Sequence, residues 1–167
     1  DMPADKIGVR RNLQDAMLMQ YTGGTTGLPK GALLTEKNIC DHLRQLQVWL
    51  DLKAGDYTLL SAFPLFHLAG LAIAMASMAM GYSQVAVPNP RDLDFIISAI
   101  KKYQPTGIVN VPTLFIELLK KPKFVSLDFS TVSWFISGAA PFPADHIKKF
   151  ETVVGKGKLI EVLGMTE

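Results

Sequence analysis

The sequence predicts an α/β fold with a mostly parallel sheet of about six strands and helices on both faces. Short apolar runs that end at glycine or proline alternate along the chain with longer segments whose apolar residues recur at helical spacing. Such alternation is typical of a parallel sheet covered by helices. With 167 residues, 49% of them hydrophobic, the chain is long enough to bury a core.

Six segments are predicted to be strands. The first, AMLMQYT, is an apolar run that ends at glycines and suits a buried strand. The others are residues 57–63, 83–88, 107–111, 132–137 and 158–164. In parallel sheets, ligands bind at the carboxyl ends of strands, so the segments that follow these strands are the first place to look for a site.

Five helices are predicted between the strands. Thr35 can cap the first, Asp92 the third, and Pro112 suits the start of the fourth. The helical segments are residues 36–54, 68–80, 93–103, 113–121 and the part of 138–154 that follows Pro143. The intervening segment KPKFVSLDFS, residues 121–130, is expected to be an exposed loop.

Composition excludes several classes of function. The net charge is +2 and charged residues are spread along the chain, so we expect no nucleic-acid partner. The single cysteine, Cys40, allows no internal disulfide and no zinc-ligand spacing, which favours a cytoplasmic location. The most apolar run, Leu68 to Met80, is shorter than the roughly 20 residues that cross a bilayer. We therefore expect no transmembrane segment, while peripheral membrane association stays open.

A loop rich in glycine and threonine, with one lysine, follows the first predicted strand: QYTGGTTGLPKG, Gln20–Gly31. Glycines let the backbone present amide N–H groups to an anion, threonine hydroxyls add donors, and Lys30 supplies positive charge. These features suit a polyphosphate. The spacing differs from Walker A, because Leu28 and Pro29 separate Gly27 from Lys30. The alternative is a surface loop with a solvated lysine.

Four segments resemble, in the same order, motifs of the adenylate-forming superfamily of acyl-CoA synthetases, firefly luciferase and peptide-synthetase adenylation domains. YTGGTTGLPKG resembles the phosphate-loop signature and FPLFHLAG the Pro-x-x-His segment, while SGAAPFP and LGMTE are similar to further parts of the nucleotide site. The resemblance implies a reaction in which a carboxylate attacks the α-phosphate of ATP to give acyl-adenylate and pyrophosphate. Coenzyme A thiolate, as co-substrate, then takes the acyl group.

The resemblance also implies which residues hold the nucleotide. Lys30 and the loop before it would hold the β- and γ-phosphates as pyrophosphate leaves. Thr166 would touch the α-phosphate, and Glu167 would ligate a Mg²⁺ ion that bridges the phosphates. The implied nucleotide-binding residues are Thr22, Gly23, Gly24, Thr25, Thr26, Gly27, Lys30, Gly138, Ala139, Ala140, Leu163, Gly164, Met165 and Thr166. Of the whole set, Lys30, His67, Thr166 and Glu167 are the implied catalytic residues.

Two positions depart from the family's pattern. Gly23 stands where relatives commonly carry serine, so one hydroxyl donor is missing and the loop is expected to be looser before ATP binds. Leu163 stands where relatives usually carry a tyrosine that stacks on adenine. We expect these changes to affect the strength of nucleotide binding more than its location.

His67 is placed by the resemblance beside the acyl carboxylate, where an imidazole can orient the attacking oxygen. Without the resemblance, a core histidine bonded to a backbone carbonyl is the alternative. The next helix combines Gly70 and alanines with methionines, which could leave room for an acyl chain or could simply pack. Its sequence contains no acidic residue of the kind that holds an amino group in amino-acid-activating members. A fatty acid is therefore the favoured substrate.

The chain is expected to be a fragment: one α/β subdomain, residues 1–167, of a larger AMP-binding domain, with 1–14 a linker or edge segment. Nothing in it resembles the family's ribose-binding aspartate, hinge or C-terminal lysine. We expect an acyl-CoA ligase as the full-length protein and no turnover by the fragment alone. Two alternatives are a peptide-synthetase adenylation domain and a non-catalytic nucleotide-binding module, in which Gly23 and Leu163 would mark a decayed site.

Overall fold

The structure, a computed structural model, describes residues 12–22, 27–55 and 57–166. The chain divides into two compact units. The first comprises the described residues up to Asp51 together with Thr166, and the second is Leu52–Met165.

The first unit contains a hairpin and a helix. Strands β1 (Ala16–Thr22) and β2 (Lys30–Thr35) pair antiparallel. Thr22 lies opposite Lys30 in the last pair before the loop that connects the two strands. Helix α1 (Glu36–Trp49) begins where β2 ends. The predicted cap at Thr35 is confirmed: its hydroxyl accepts from the Asn38 amide, and the Asn38 side chain accepts from the Thr35 amide, which satisfies two backbone donors of the first turn.

The first predicted strand exists, but the prediction that it belongs to the parallel sheet is wrong. It pairs with β2, a strand that was not predicted, and it has no place in the parallel sheet. One face of β1 is also exposed in this unit, with 43%, 55% and 63% of Met17, Met19 and Tyr21 accessible, so the expectation of a buried strand fails. An apolar run of this length does not distinguish a central strand from a hairpin strand, because both need only extended backbone.

The second unit contains the predicted parallel sheet, with five strands and not six. These are β3 (Thr58–Ser61), β4 (Ser83–Ala86), β5 (Gly107–Asn110), β6 (Trp134–Ser137) and β7 (Leu159–Glu161). Their order across the sheet is β4-β3-β5-β6-β7, and every neighbouring pair is parallel. The α/β prediction is confirmed, and the missing sixth strand is β1.

Helices connect these strands. They are α2 (Leu68–Met80), α3 (Leu93–Tyr103), α4 (Pro112–Leu119), the short α5 (Pro122–Val125) and α6 (Ala144–Val154). The Asp92 carboxylate caps α3 through the Phe95 amide at 2.9 Å, as predicted. Because the chain steps outward from β3 to β4 and then back across to β5, β6 and β7, right-handed crossovers place α2 on one face and α3, α4 and α6 on the other. Helices on both faces were predicted.

The core lies between the sheet and helices α3, α4 and α6. Leu60, Ile108 and Phe135 project from the strands into it. A cluster of phenylalanine rings with centroids 5.0 to 6.5 Å apart fills its centre: Phe115, Phe124, Phe129, Phe135, Phe142 and Phe150. The expectation that residues 121–130 form an exposed loop is therefore wrong. Phe124 on α5 is completely buried, and Phe129 nearly so, because their rings complete this cluster.

Within the described ranges, no helix is long and apolar enough to cross a membrane. The most apolar, α2, has 13 residues.

Candidate functional site

The carboxyl edge of the five-stranded sheet is the place where most sequence-predicted site residues of the second unit lie. From β3 the chain moves one way to β4 and then returns to β5 on the other side, so the strand order reverses between β3 and β5. Open α/β sheets bind ligands in the crevice outside the carboxyl ends at such a reversal. The predicted residues that follow strands at this edge are His67, Gly138, Ala139, Ala140, Leu163, Gly164 and Met165.

His67 ends the segment that leaves β3 and forms the N-cap of α2. Its Nδ1 accepts a hydrogen bond of 3.1 Å from the Ala69 amide. Because an amide can only donate, Nδ1 carries no proton in this arrangement, and the ring proton of neutral imidazole lies on Nε2. The side chain is exposed, with its ring stacked 6.0 Å from that of Phe63. His67 is thus no core histidine, and its Nε2–H can donate to a carboxylate oxygen.

Gly70 lets the first turn of α2 lie directly against the segment before it. A β-carbon at Gly70 would lie 2.2 Å from the Pro64 carbonyl oxygen and 2.9 Å from that of Phe63. These are backbone atoms and cannot rotate away. At Gly70, then, the missing side chain serves the contact between helix and loop, and the space is not available to an acyl chain.

The loop after β6 is held against the end of β7. Gly138 is buried, and a β-carbon there would lie 2.9 Å from Val162 Cγ2, so this turn requires a small residue. Ala139 has φ of 67°, a left-handed conformation that costs a residue with a β-carbon about 1 to 2 kcal/mol. The Glu161 carboxylate accepts from the Phe142 amide at 2.8 Å and so closes the loop. The loop exposes Ala139 and Ala140.

The segment after β7 presents apolar side chains to solvent. Leu163 is 96% exposed and Met165 is 74% exposed. Nothing lies within 4 Å of a β-carbon built at Gly164. Two exposed apolar side chains beside an unobstructed glycine can cover one face of a ligand ring such as adenine. Leucine offers such a ring dispersion contact but no aromatic stacking.

The predicted phosphate loop connects β1 and β2 in the first unit. The Thr22 hydroxyl donates to the Lys30 carbonyl at 3.4 Å, and these two residues are also register partners, so the base of the loop is closed. Lys30 and Gly27 are exposed. Thr166 belongs to the same unit. The predicted residues Gly23, Gly24, Thr25, Thr26 and Glu167 lie outside the described residues.

Two polar residues at the strand ends, Ser61 and Asn110, were missed by sequence reasoning, while Ser137 opens the SGAAPFP segment but was given no role of its own. Ser61, Asn110 and Ser137 are the last residues of β3, β5 and β6, and all three are buried. For Ser61 and Asn110 the only signal in the sequence is a single polar residue within or at the end of an apolar run, as in GIVN, and serine or asparagine is also common wherever strands turn. Over the ranges that the structure describes, no group of three or more acidic, histidine or cysteine side chains could hold a metal ion.

Comparisons with known proteins agree with one another. A model of a family described as AMP-binding enzyme matches residues 4–167. A long-chain-fatty-acid–CoA ligase of Bacillus subtilis is 37% identical over 155 residues, 92% of this chain and 27% of the relative. One of Yersinia pestis is 36% identical over 156 residues, with 92% and 28% covered. The crystal structure of ATP-bound MatB from Rhodopseudomonas palustris matches with a TM-score of 0.82 and 31% identity, over 95% of this chain and 31% of that one. The chain spans little more than a quarter of the length of these ligases.

Proposed function

The chain belongs to the AMP-binding enzyme family, and from this we propose that it forms the nucleotide- and acyl-binding part of a longer acid–CoA ligase. The observation that carries the proposal is the common edge from which the His67, Gly138–Ala140 and Leu163–Met165 segments leave a parallel sheet at its point of reversal. In the proposed reaction a carboxylic acid, ATP and coenzyme A give acyl-CoA, AMP and pyrophosphate.

In the first step, a carboxylate oxygen forms a bond to the α-phosphorus of ATP, and the bond from that phosphorus to the bridging oxygen breaks. His67 would donate from Nε2 to the carboxylate and hold it for attack, since the Ala69 amide fixes the other ring nitrogen. Lys30 and the threonines of the loop would stabilise the charge that accumulates on pyrophosphate. Thr166 would contact the α-phosphate.

Magnesium would enter the proposed site as an ion carried by the nucleotide. Mg²⁺ keeps several waters and is bound through one or two carboxylates plus substrate phosphates, so one protein carboxylate, that of Glu167, suffices. The ion would offset phosphate charge during attack.

A fatty acid is the proposed substrate. Helix α2 follows His67 and contains no charged residue over its 13 positions. A substrate amino group beside it would have no carboxylate partner on this helix. The B. subtilis and Y. pestis relatives are long-chain-fatty-acid–CoA ligases. In the second step, the coenzyme A thiolate attacks the acyl carbonyl carbon and AMP leaves.

The test is fatty-acid-dependent exchange between ATP and pyrophosphate by the full-length protein. Lys30→Ala removes the cation proposed to hold the outer phosphates, so exchange should fall by about 100-fold or more. Lys37→Ala, which removes an exposed lysine from α1, is the matched control and should leave exchange unchanged. A protein that shows no exchange, and weak ATP affinity unaltered by Lys30→Ala, would instead be a non-catalytic nucleotide-binding module.

A further inference from the structure

Three neighbouring strands end in buried polar residues at the edge where the site is proposed. Ser61, Asn110 and Ser137 are 2%, 2% and 1% exposed. Buried polar groups nearly always have hydrogen-bond partners, because burying one without a partner is unfavourable. What these side chains bond to therefore indicates what holds this edge together.

The Asn110 side chain connects the exits of two strands. Its Oδ1 accepts from the Ala62 amide at 3.1 Å, one residue beyond the end of β3. Since the Ala62 amide can only donate, the atom that faces it must be the oxygen, and this fixes the orientation of the side-chain amide. The bond takes the place of the next backbone bond between β3 and β5, at the point where the chain of β5 turns into α4.

The nitrogen of the same amide and the Ser137 hydroxyl form a complementary pair. Among the described residues, neither Asn110 Nδ2 nor Ser137 Oγ has a hydrogen-bond partner, and both atoms are buried. The two residues are register partners on parallel strands, so their side chains lie on the same face of the sheet, on strands about 4.8 Å apart. Nδ2 offers two donors and Oγ can accept, which is the donor and acceptor set that one buried water joins.

We propose that Asn110 is a positioning residue that locks the β3 and β6 exits together, through its direct bond to Ala62 and through one water shared with Ser137. Its role in the reaction rests on the proposed function. Ala62 lies five residues before His67, and Ser137 directly precedes the Gly138–Ala140 turn. The Gly138 amide also donates to the Asn110 backbone carbonyl at 3.2 Å, so the backbone holds the turn against β5 and the side-chain lock adds the connection to the segment that orients the carboxylate.

Amide hydrogen exchange of the full-length protein tests the direct bond without any need for turnover. Asn110→Leu has similar volume but no acceptor, so exchange in the peptide covering residues 59–66 should accelerate about 10-fold. Ser77→Ala is the control, since its hydroxyl bonds within α2 to the Ile73 carbonyl, and it should not change this peptide. Unchanged exchange in Asn110→Leu would overturn the lock.

Ser137→Ala tests the shared water, because the two possibilities predict opposite effects of removing the Ser137 hydroxyl. Removing a buried hydroxyl that has no partner should leave the folded protein equally or more stable. Removing one that is bridged to Asn110 should loosen the strand exits and lower activity. We expect kcat/KM for the fatty acid to fall about 5-fold, mainly through a higher KM for the acid with the KM for ATP changed less than 2-fold. In an Asn110→Leu background, Ser137→Ala should cost nothing further.

Independent effects of the two substitutions, or equal increases in both KM values, would overturn the shared water and the positioning role. Failure of the proposed function is recognised separately. If the wild-type protein shows no acid-dependent exchange between ATP and pyrophosphate, the ligase proposal is wrong, while the hydrogen-exchange results still decide whether Asn110 locks the two exits.

Discussion

His67 illustrates how one side chain can serve structure and chemistry through its two ring nitrogens. Nδ1 caps α2 by accepting from the Ala69 amide, and Nε2 is left to donate toward a ligand. A lysine could supply a donor without a cap, and a serine could cap without reaching as far. The backbone thus selects the tautomer that the proposed carboxylate contact needs.

The two roles of His67 can be separated by His67→Asp. Aspartate is a good N-cap and should keep α2 intact, but it replaces a donor with a negative charge that repels a substrate carboxylate. We expect thermal unfolding to change little and kcat/KM for the fatty acid to fall about 100-fold. His42→Asp, an exposed change on α1, controls for the added charge. Loss of stability with acid kinetics unchanged would show that His67 is only a cap.

Gly70→Ala is predicted to destabilise the protein although alanine is the better helix former. Helix propensity favours the substitution by about 1 kcal/mol. The new β-carbon would lie 2.2 Å from the Pro64 carbonyl oxygen, however, and such overpacking typically costs 1 to 3 kcal/mol. Chemical unfolding measures whether Gly70→Ala raises or lowers the free energy of unfolding. Ala79→Gly at an exposed position of the same helix calibrates propensity, and a Gly70→Ala protein more stable than wild type would contradict the contact.

At the scale of elements, sequence patterns predicted the five strands of the parallel sheet and the longer helices between them. They failed where contacts between residues distant in the sequence determine the local structure. The five sheet strands, the Thr35 and Asp92 caps and the start of α4 at Pro112 follow from local rules that the chain obeys. Strand β2 was missed because its sequence, KGALLT, has no alternation and becomes a strand only by pairing with β1.

The short helix α5 was missed for a different reason. The segment 121–130 carries lysines, serine and proline, which are typical of an exposed loop, but Phe124 and Phe129 reach back into the core. We predict that Phe124→Ala lowers the free energy of unfolding by about 3 to 5 kcal/mol, as for a fully buried ring. Val125→Ala, at the neighbouring exposed position, should cost less than about 0.5 kcal/mol. Similar effects of both changes would support the exposed loop.

The site was predictable to the extent that its residues belong to recognisable motifs. His67 and the Gly138–Ala140 turn follow strand ends as expected, whereas Asn110 belongs to no motif and Ser137, the first residue of SGAAPFP, was given no role of its own. Their proposed connection depends on register, which brings residues 27 positions apart in the sequence to adjacent points of the sheet. Register is a property of the folded sheet, and no local pattern in GIVNV or VSWFIS specifies it.

At the scale of the whole molecule, the two units divide the proposed work. The first carries Thr22, Lys30 and Thr166, which we propose contact the phosphates, and the second carries His67 and the turn after β6. Phosphoryl chemistry asks a protein mainly for positioning and charge compensation, so neither unit by itself carries all the residues that the proposed reaction needs. The proposed activity should then require the complete protein, whereas the parallel sheet should fold without it.

The isolated chain of residues 1–167 tests this dependence. The resemblance places the ribose-binding aspartate and the distal lysine outside these residues, and the chain spans only 27% of the B. subtilis relative. We expect α/β secondary structure by circular dichroism but no fatty-acid-dependent exchange between ATP and pyrophosphate above background. The full-length protein at equal concentration is the positive control. Measurable acid-dependent exchange by residues 1–167 alone would show that the transition state is stabilised by groups within this chain, because no others would be present to hold the nucleotide.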